Sequence, residues 1–565
     1  MWRSGVDAVT SSVPPDRDAR ALAVSPARSL LVAAAAFLAF VVALGDQCVW
    51  SDDETRPGLV ARETVLHGHW LVPHLAGHIY PDKPPLFAWL VALASPRGVS
   101  EWSLRLPAAA AAAATVGITH AIAARVAGPV AGLVAAAVLA ASPAFVHWAR
   151  MGRMESLLVL WIALTFWSAL AWLDTGARRH AALGGLWMGL GVLTKGPFAL
   201  IAVPAVALAW VAHRDARTAS RSGVLIGLGV ALAVPAVWLG LSAIVDVSAV
   251  VDYGRAVIQA FDKEIVLQRR RPRPLSFRII TVSADFLPWT LLLPGVAVQL
   301  VRSWRWAWRP LALPLAWAGA AGVLLMVIVS PRVPYFLMLY PALAIVVGWA
   351  WSTATGRVRL LLLAPLGIVV LACMVFGIRV LAAPLSIVLH RVSVPLDAGL
   401  GATLVVLGAV AACAAGAFAR SGRMAEVGVV LGAAVLVVVL LLEIHVYTRA
   451  VNQRYPTRPA AGRLAGAAPP DTSVLYIDRE REAALLFYMP QRPLEARDIR
   501  DLRVHLGGND AARSRYALLS STDLDALLSV GCKPIRIAHE ERVDRTLYIL
   551  AEFGSDPRCM PKARG

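Results

Sequence analysis

The chain has 565 residues, of which 58% are hydrophobic and only 16% are charged, and its mean hydropathy is +0.65. An ordinary soluble domain is about 45–50% apolar and about 25% charged, so this composition excludes a soluble globular protein, a disordered chain and a coiled coil. The formal net charge of +18 would favour a nucleic-acid partner in a soluble protein. In a membrane protein the same excess follows from Lys and Arg in cytoplasmic loops, so we expect no nucleic-acid partner.

Apolar segments long enough to cross a bilayer follow a polar N-terminal tail, residues 1–28. A span needs about 20 apolar residues, and fewer where Gly or Pro breaks a helix. By this measure we predict an all-α polytopic domain over residues 29–447 with thirteen transmembrane helices. These lie near residues 29–49, 103–125, 128–149, 155–173, 181–194, 196–213, 222–245, 286–303, 310–330, 335–352, 358–380, 398–419 and 425–447. The first could instead be read as a signal peptide ending Ala43-Leu44-Gly45, but an uncleaved helix explains it equally well.

Basic residues predict the orientation of these helices. With the N-terminal tail in the cytoplasm, every second loop is cytoplasmic, and each of these loops carries arginine, as in Arg178-Arg179. This is the arrangement that the positive-inside rule requires. Thirteen spans then place residues 448–565 outside.

The C-terminal tail, residues 448–565, differs in pattern from the membrane portion. Strand-like apolar runs at 474–477, 516–519 and 547–550 alternate with helical stretches such as Glu482–Met489. Such alternation is typical of a small α/β domain. Its two cysteines, Cys532 and Cys559, could pair only if the tail lies in an oxidising compartment.

The first predicted outer loop, residues 50–102, is the densest polar region of the membrane portion. Its charged residues include Asp52, Asp53, Glu54, Arg56, Arg62, Glu63, Asp82 and Lys83. A solvated loop carries such charges ordinarily, and Ser51-x-x-Glu54 also fits a capping box that only starts a helix. Alternatively, Lys and Arg at the membrane surface could hold an anionic lipid headgroup, and a neighbouring carboxylate could serve as a general base.

Several short motifs run in order from this loop into the following helices. The first are Asp53-Glu54-Thr55-Arg56, Ala61-Arg62-Glu63, His69-Trp70-Leu71-Val72-Pro73, Tyr80-Pro81-Asp82-Lys83-Pro84-Pro85 and Arg105-Leu106-Pro107. The later ones are Arg153-Met154-Glu155, Leu193-Thr194-Lys195-Gly196-Pro197, Phe286-Leu287-Pro288-Trp289, Ser330–Tyr335 and Tyr340-Pro341-Ala342-Leu343. Each motif is weak alone, but the ordered set resembles GT-C-type glycosyltransferases related to the aminoarabinose–lipid A transferases and protein O-mannosyltransferases.

The resemblance implies a GT-C-like enzyme of the bacterial inner membrane. Such an enzyme takes a sugar from a polyprenyl-phosphate carrier on the outer face and hands it to an envelope lipid such as lipid A, a glycan or a protein. By position in the motifs, Asp53 would be the catalytic base, and Arg56, Lys83 and Tyr335 would bind the donor phosphate. The supporting candidates are Asp52, Asp82, Glu155, Lys195 and Arg332.

The sequence departs from the family at three of these places. Glu155 stands where relatives have Asp, and Arg332 stands where they usually have Lys. Pro57-Gly58 follows Arg56 where relatives tend to continue a helix, so the backbone near the acid is expected to differ.

The chemistry suggested by these residues needs neither a metal nor a cofactor. A sugar hydroxyl needs a base in order to attack an anomeric carbon, whereas the lipid phosphate is a stable leaving group that cations stabilise further. His67, His69, His74 and His78 have spacings that zinc ligands also show. Loop histidines without a metal are commoner, so we expect no metal site.

Two other classes of protein remain as alternatives. A polytopic transporter or lipid flippase would place ionisable groups near the membrane midplane, often in repeated halves, whereas this sequence shows no repeat. A polymerase or ligase of polyprenyl-diphosphate-linked glycans would differ from the expected enzyme in the donor that it uses.

Overall fold

Apolar helices make up most of this computed structural model. The structure describes residues 25–212, 221–265, 274–327, 333–383, 385–477, 482–496, 498–507, 515–554 and 557–559. The membrane portion contains α1 (Pro26–Val41), α2 (Asp52–His67), α3 (Leu86–Leu93), α4 (Glu101–Ala127), α5 (Pro129–Ala140), α6 (Pro143–Ala149), α7 (Glu155–Thr175), α8 (Arg178–Lys195), α9 (Ala202–Ala212), α10 (Arg221–Val245), α11 (Val247–Ile265), α12 (Leu275–Asp285), α13 (Leu293–Val327), α14 (Tyr340–Thr353), α15 (Gly356–Ala382), α16 (Ala398–Arg420) and α17 (Met424–Leu442). Short 3₁₀ segments lie at Gly196–Ile201, Trp289–Leu292 and Val333–Leu339.

Nine helical segments of the described chain, with α8 and α9 counted together as one, are long and apolar enough to cross a membrane. The pair α5 and α6, bent by 67° at its break, would make ten. The apolar α1 has 16 residues. The chain is thus a multi-pass membrane protein, while the predicted count of thirteen is not confirmed. Two predicted spans, 286–303 and 310–330, overlap one helix, α13, which carries Pro310 and Pro314 inside it.

Helices α8 and α9 are separate passes, although only a 3₁₀ segment joins them. Lys195 at the end of α8 contacts Glu155 at the start of α7. Trp210 near the end of α9 packs on Trp172 near the end of α7, with ring centroids 6.5 Å apart. Helix α8 therefore runs antiparallel to α7, and α9 runs parallel to it. This agrees with the predicted spans 181–194 and 196–213.

Small residues allow the central helices to pack closely. The alanine run of α4 is largely buried, and a Cβ at Gly348 in α14 would collide with the backbone of Ala131 in α5. Close backbone approach at Gly and Ala is the usual basis of helix packing in membranes, since lipid offers little hydrophobic driving force between helices.

The C-terminal tail folds into helices and a five-stranded sheet, which confirms the predicted α/β character. Its elements are α18 (Arg449–Arg454), α19 (Thr457–Ala465), α20 (Glu482–Tyr488), α21 (Ile499–Gly507), α22 (Ser521–Ser529), and the strands β5 (Ser473–Ile477), β6 (Arg492–Ala496), β7 (Arg515–Ser520), β8 (Arg536–Val543) and β9 (Thr546–Phe553). The strand order is β6-β5-β7-β9-β8, with β5, β6 and β7 parallel and the other two pairings antiparallel. A disulfide joins Cys532 to Cys559.

Two short hairpins lie outside this sheet, β1–β2 (His74–Leu75 and His78–Ile79) and β3–β4 (Leu385–Leu389 and Val392–Leu396). The predicted boundary at residue 448 falls inside a continuous helical run, because a π-helical turn, Glu443–Thr448, joins α17 to α18. The division into a tail, a membrane domain and an outer domain therefore stays a prediction.

Candidate functional site

Asp53 lies in the first turn of α2, where the helix dipole favours negative charge. Its carboxylate accepts a hydrogen bond from Nη1 of Arg153 at 2.7 Å. The Asp53 side chain remains 48% exposed. The candidate base is therefore held by a cation and still open to an incoming group.

Arg153 bridges two carboxylates. Besides Asp53, it donates to Glu155 through Nε at 3.3 Å and Nη2 at 3.0 Å. Burial lowers the pKa of Arg153, but the charges of Glu155 and Asp53 outweigh it and leave that pKa above its ordinary value. Arg153 is thus a permanent cation beside Asp53 and favours its ionised form. No role for Arg153 was predicted from the sequence, although it stands two residues before Glu155 in the motif Arg153-Met154-Glu155.

Lys195 continues this chain of contacts into the membrane helices. Its Nζ lies 2.7 Å from Oε1 of Glu155, and both side chains are buried. The same ammonium lies 4.4 Å from the ring centroid of Tyr335, a cation–π distance. A small cavity is lined by Glu155, Lys195, Phe198, Tyr335 and Met338, among others. Four of the predicted residues, Asp53, Glu155, Lys195 and Tyr335, are thus brought together through Arg153.

The remaining candidates surround this group less closely. Lys83 is half-buried and near enough to Lys195 for their charges to repel each other. It also lines an apolar cleft with Tyr80, Trp238 and Tyr253, among others. The half-buried Asp52 and Arg56 flank Asp53 on α2, and Asp82 is exposed beside Lys83. Arg332 lies outside the described residues.

Glu54 does not form the capping box that its spacing suggested. Ser51 is the N-cap residue, but its side chain makes no capping hydrogen bond. The fully buried Glu54 instead accepts from Nε and Nη2 of Arg105, at 2.7 and 3.1 Å. It also accepts the backbone N–H of Gly152 at 2.8 Å. Glu54 adjoins Asp53 in sequence, and Gly152 adjoins Arg153. The hydrogen bond between Glu54 and Gly152 therefore fixes both partners of the Asp53–Arg153 contact.

Two of the loop histidines, His67 and His69, lie near one carboxylate. Oε2 of Glu63 lies 3.7 Å from Nε2 of His67 and 3.9 Å from Nδ1 of His69. The rings of His69 and His74 stack with centroids 3.8 Å apart. Within the described part of the chain, no group of three or more His, Cys, Asp or Glu side chains is arranged to hold a metal ion.

Known proteins with similar sequences are sugar transferases. Residues 82–240 match the family described as dolichyl-phosphate-mannose-protein mannosyltransferase. An undecaprenyl phosphate-α-4-amino-4-deoxy-L-arabinose arabinosyl transferase of Pseudomonas savastanoi pv. phaseolicola is 29% identical over 181 residues, 31% of this chain and 34% of the relative. The protein of the same name from Pseudomonas paraeruginosa is 27% identical over 294 residues, 48% of this chain and 50% of the relative. The chain thus spans half or less of the length of these relatives.

Similarity of fold extends over almost the whole chain. The crystal structure of ArnT from Cupriavidus metallidurans bound to undecaprenyl phosphate has a TM-score of 0.68 and 18% identity, covering 96% of this chain and 100% of that one. Its apo structure has a TM-score of 0.69 and 18% identity, covering 95% and 99%. Identity at this level establishes the fold alone. The chain is therefore a polytopic membrane protein with the GT-C-type fold, and it resembles the aminoarabinose transferases and protein O-mannosyltransferases in sequence.

Proposed function

We propose that this protein is a glycosyltransferase that moves a sugar from a polyprenyl-phosphate carrier to an acceptor at the membrane surface. The observation that carries the proposal is the ionic chain Asp53–Arg153–Glu155–Lys195, which ends against Tyr335. It combines one half-exposed carboxylate with cations at the ends of membrane helices. Together with Lys83, which is near enough to Lys195 for their charges to repel each other, the ionic chain supplies the candidate base and the nearby cation that transfer from a lipid phosphate needs.

Asp53 is the proposed general base. Its carboxylate would take the proton of the acceptor hydroxyl as the oxygen attacks the anomeric carbon of the donor sugar. The bond from that carbon to the carrier phosphate breaks, and the phosphate leaves as an anion. General base catalysis of this kind supplies about 10²–10⁴-fold in rate.

Lys83 is the proposed principal contact of the carrier phosphate, with Arg56 and the Tyr335 hydroxyl beside it. The charge of Lys195 is already matched by Glu155, so we assign to Lys195 the orientation of the Tyr335 ring. The phosphate needs no metal in principle to leave as an anion, so the proposal uses none. Cations aimed at the departing oxygen are commonly the largest contribution to such a step.

The proposed orientation places α2 and the C-terminal tail outside the bacterial inner membrane, with residues 1–28 in the cytoplasm. The alternation of arginine-rich loops supports it. The disulfide between Cys532 and Cys559 supports it independently, because disulfides persist mainly in oxidising compartments. In this scheme residues 29–447 are the transferase domain, and residues 448–565 are an outer domain.

The names of the relatives suggest the donor to try first. Those proteins are named for undecaprenyl phosphate-linked 4-amino-4-deoxy-L-arabinose, and we propose a donor of this polyprenyl-monophosphate class. The acceptor is proposed to be an envelope lipid such as lipid A, another glycan or a protein. The rival transporter or flippase would hold its charges at the midplane, whereas the ionic chain lies where α2 and α7 begin and α8 ends.

The experiment that tests this function uses the full chain reconstituted in liposomes. Undecaprenyl phosphate-linked aminoarabinose is supplied with lipid A, and both the modified acceptor and the released undecaprenyl phosphate are measured by mass spectrometry. We expect the two products in equal amounts, and none from a diphosphate-linked donor. Donor that crosses the bilayer uncleaved would indicate a flippase, and transfer only from the diphosphate donor would indicate a glycan polymerase.

A further inference from the structure

The C-terminal tail holds the backbone that leads into α2. The N–H of Cys48 donates to Oδ1 of Asn452 at 2.8 Å, and Nδ2 of Asn452 donates to the carbonyl of Asp46 at 2.9 Å. The N–H of Val49 donates to the hydroxyl of Tyr488 at 2.7 Å. Consecutive backbone groups just before Asp53 are therefore bonded to side chains about 400 residues away, and any shift of the tail moves them.

The tail also holds the second half of α2. Nη1 of Arg62 donates to the carbonyls of Leu486 and Met489, both at 3.0 Å. These carbonyls lie at the C-terminal end of α20, where a helix leaves acceptors unpaired and favours a cation. At Gly58 an added Cβ would lie 2.7 Å from Cε2 of Phe487, so the glycine is what lets α20 approach this closely. The motif Ala61-Arg62-Glu63 thereby acquires a structural role.

Helix α2 needs such support because its own backbone is interrupted. Pro57 lies inside the helix and has no N–H, so it cannot supply the bond that normally ties residue 57 to the carbonyl of Asp53. The first turn, which carries Asp53, is therefore coupled less tightly to the rest of α2. Its orientation depends on contacts from outside the helix, including those before it with Asn452 and Tyr488.

We propose that Tyr488 and Arg62 are positioning residues, through which the C-terminal tail sets the orientation of Asp53. The inference rests on the proposed function and adds to it a role for the tail in the chemical step. Of the proposed donor contacts, the principal one, Lys83, lies before α3 and Tyr335 lies on a 3₁₀ segment, and only Arg56 lies on α2. If the tail no longer holds α2 in place, sugar transfer should therefore slow while donor binding changes little.

Tyr488→Phe tests this by removing one oxygen atom. We expect kcat for transfer to fall roughly tenfold, since small misplacement of a catalytic group costs up to about 100-fold. KM for undecaprenyl phosphate-linked aminoarabinose and the Kd for undecaprenyl phosphate should stay within about twofold of the unchanged protein, because the lost bond is made by Val49 and not by the donor contacts. The matched control is Tyr516→Phe, whose hydroxyl contacts Arg536 within the sheet and whose loss should leave both constants unchanged.

Variants of Arg62 provide a second test of the proposal. Arg62→Ala should lower kcat, and Arg62→Lys should restore part of it, because a single ammonium reaches the two carbonyls less well than a guanidinium does. The rate of amide hydrogen exchange over residues 46–62 shows how firmly the tail holds this backbone, and its measurement needs no sugar transfer. Both Tyr488→Phe and Arg62→Ala should exchange faster there. A monodisperse elution profile and an unchanged melting transition of the rest of the chain show that each variant is folded.

Three results would decide against the proposal. Unchanged kcat in folded Tyr488→Phe and Arg62→Ala overturns it, and so does a raised KM with kcat unchanged, since the tail would then serve donor binding. Unchanged hydrogen exchange over 46–62 in both variants overturns it even if the protein transfers no sugar. If the protein without substitutions transfers no sugar, but hydrogen exchange over 46–62 is faster in the variants, the proposed function is rejected. The conclusion that the tail holds α2 in place then still stands.

Discussion

Charge pairing around the site distinguishes Lys83 from Arg153 and Lys195. Arg153 pairs with Asp53 and Glu155, and Lys195 pairs with Glu155. Among the residues that the structure describes, Lys83 makes no ion pair. A cation whose charge is not already matched attracts an anion more strongly. We therefore assign the carrier phosphate chiefly to Lys83.

Lys83→Ala should weaken donor binding more than it affects folding. Loss of a charge-assisted contact in a partly desolvated site costs about 1.5–3 kcal/mol, which is roughly tenfold or more in affinity. Lys83→Arg should rescue binding only in part, because the two cations differ in geometry. Titration with undecaprenyl phosphate measures the effect, and Arg97→Ala, an exposed cation after α3, is the control. An unchanged affinity in Lys83→Ala would remove this residue from the site.

The individual members of the site could be predicted from sequence better than their contacts. Asp53, Glu155, Lys195 and Tyr335 were all found from motifs, and the structure brings them together. The capping box that Ser51-x-x-Glu54 left open does not form, because the same spacing occurs whether Glu54 caps a helix or is buried. Its partner Arg105 lies 51 residues away, and Arg153 lies 100 residues from Asp53. Spacing along the chain does not reveal pairs of this kind.

At the scale of elements, the turn between α6 and α7 depends on one glycine. A Cβ at Gly152 would lie 2.5 Å from Cγ of Leu104 and 3.1 Å from Cγ of Glu54. Leu104 is fully buried and has little room to move. The turn that carries Arg153 therefore sits against α2 and α4 only because residue 152 lacks a side chain.

Gly152→Ala should consequently disturb both folding and the site. Overpacking of this kind typically costs about 1–3 kcal/mol in the free energy of unfolding, and the shift would lengthen the hydrogen bond from Gly152 to Glu54. We expect a lower melting temperature together with slower sugar transfer. Gly229→Ala in α10, where an added Cβ meets nothing within 4 Å, should change neither. Equal melting temperatures for the two variants would show that the turn tolerates a side chain.

Hydropathy predicted the helices more reliably than the short strands. Long apolar segments have few alternatives to a membrane helix, and the strands β5, β7 and β9 follow the predicted runs closely. The hairpin β3–β4 was missed because its five-residue strands are apolar and adjoin membrane helices on both sides. The predicted spans 286–303 and 310–330 both overlap α13, but they run in opposite directions along α14. Phe286 stacks on Tyr340 at the start of α14 and Gln299 contacts Thr353 at its end, whereas Trp317 donates to the carbonyl of Met338, again beside the start.

At the scale of the whole molecule, the orientation of the chain in the membrane determines where the reaction occurs. The tail contacts α2 directly through Tyr488 and Arg62, so the candidate site and the tail share one side of the membrane. The side was predicted from the arginine distribution, and the disulfide between Cys532 and Cys559 agrees with an oxidising compartment.

A reporter fused after Gly565 tests this orientation. We expect alkaline phosphatase, which needs an oxidising compartment, to be active there, and a green fluorescent protein that folds only in the cytoplasm to be dark. Thiol labelling of Cys532 and Cys559 should require a reductant. Fluorescence from the cytoplasmic reporter, or equal labelling with and without reductant, would reverse the proposed orientation.

The measurement that tests the central claim most directly is sugar transfer by Asp53→Asn beside the unchanged protein and Asp52→Asn. An unperturbed aspartate has a pKa of about 3.9 and is ionised at neutral pH, and Arg153 favours that form in Asp53. Asparagine keeps the shape and can still accept from Arg153, but it cannot take a proton. We predict that transfer by Asp53→Asn falls about 10²-fold or more, with undecaprenyl phosphate affinity nearly intact and a smaller loss in Asp52→Asn. Near-normal transfer by Asp53→Asn would contradict the account. If Asp52→Asn were then inactive, Asp52 would be the base, and if both variants were active, the mechanism would be refuted.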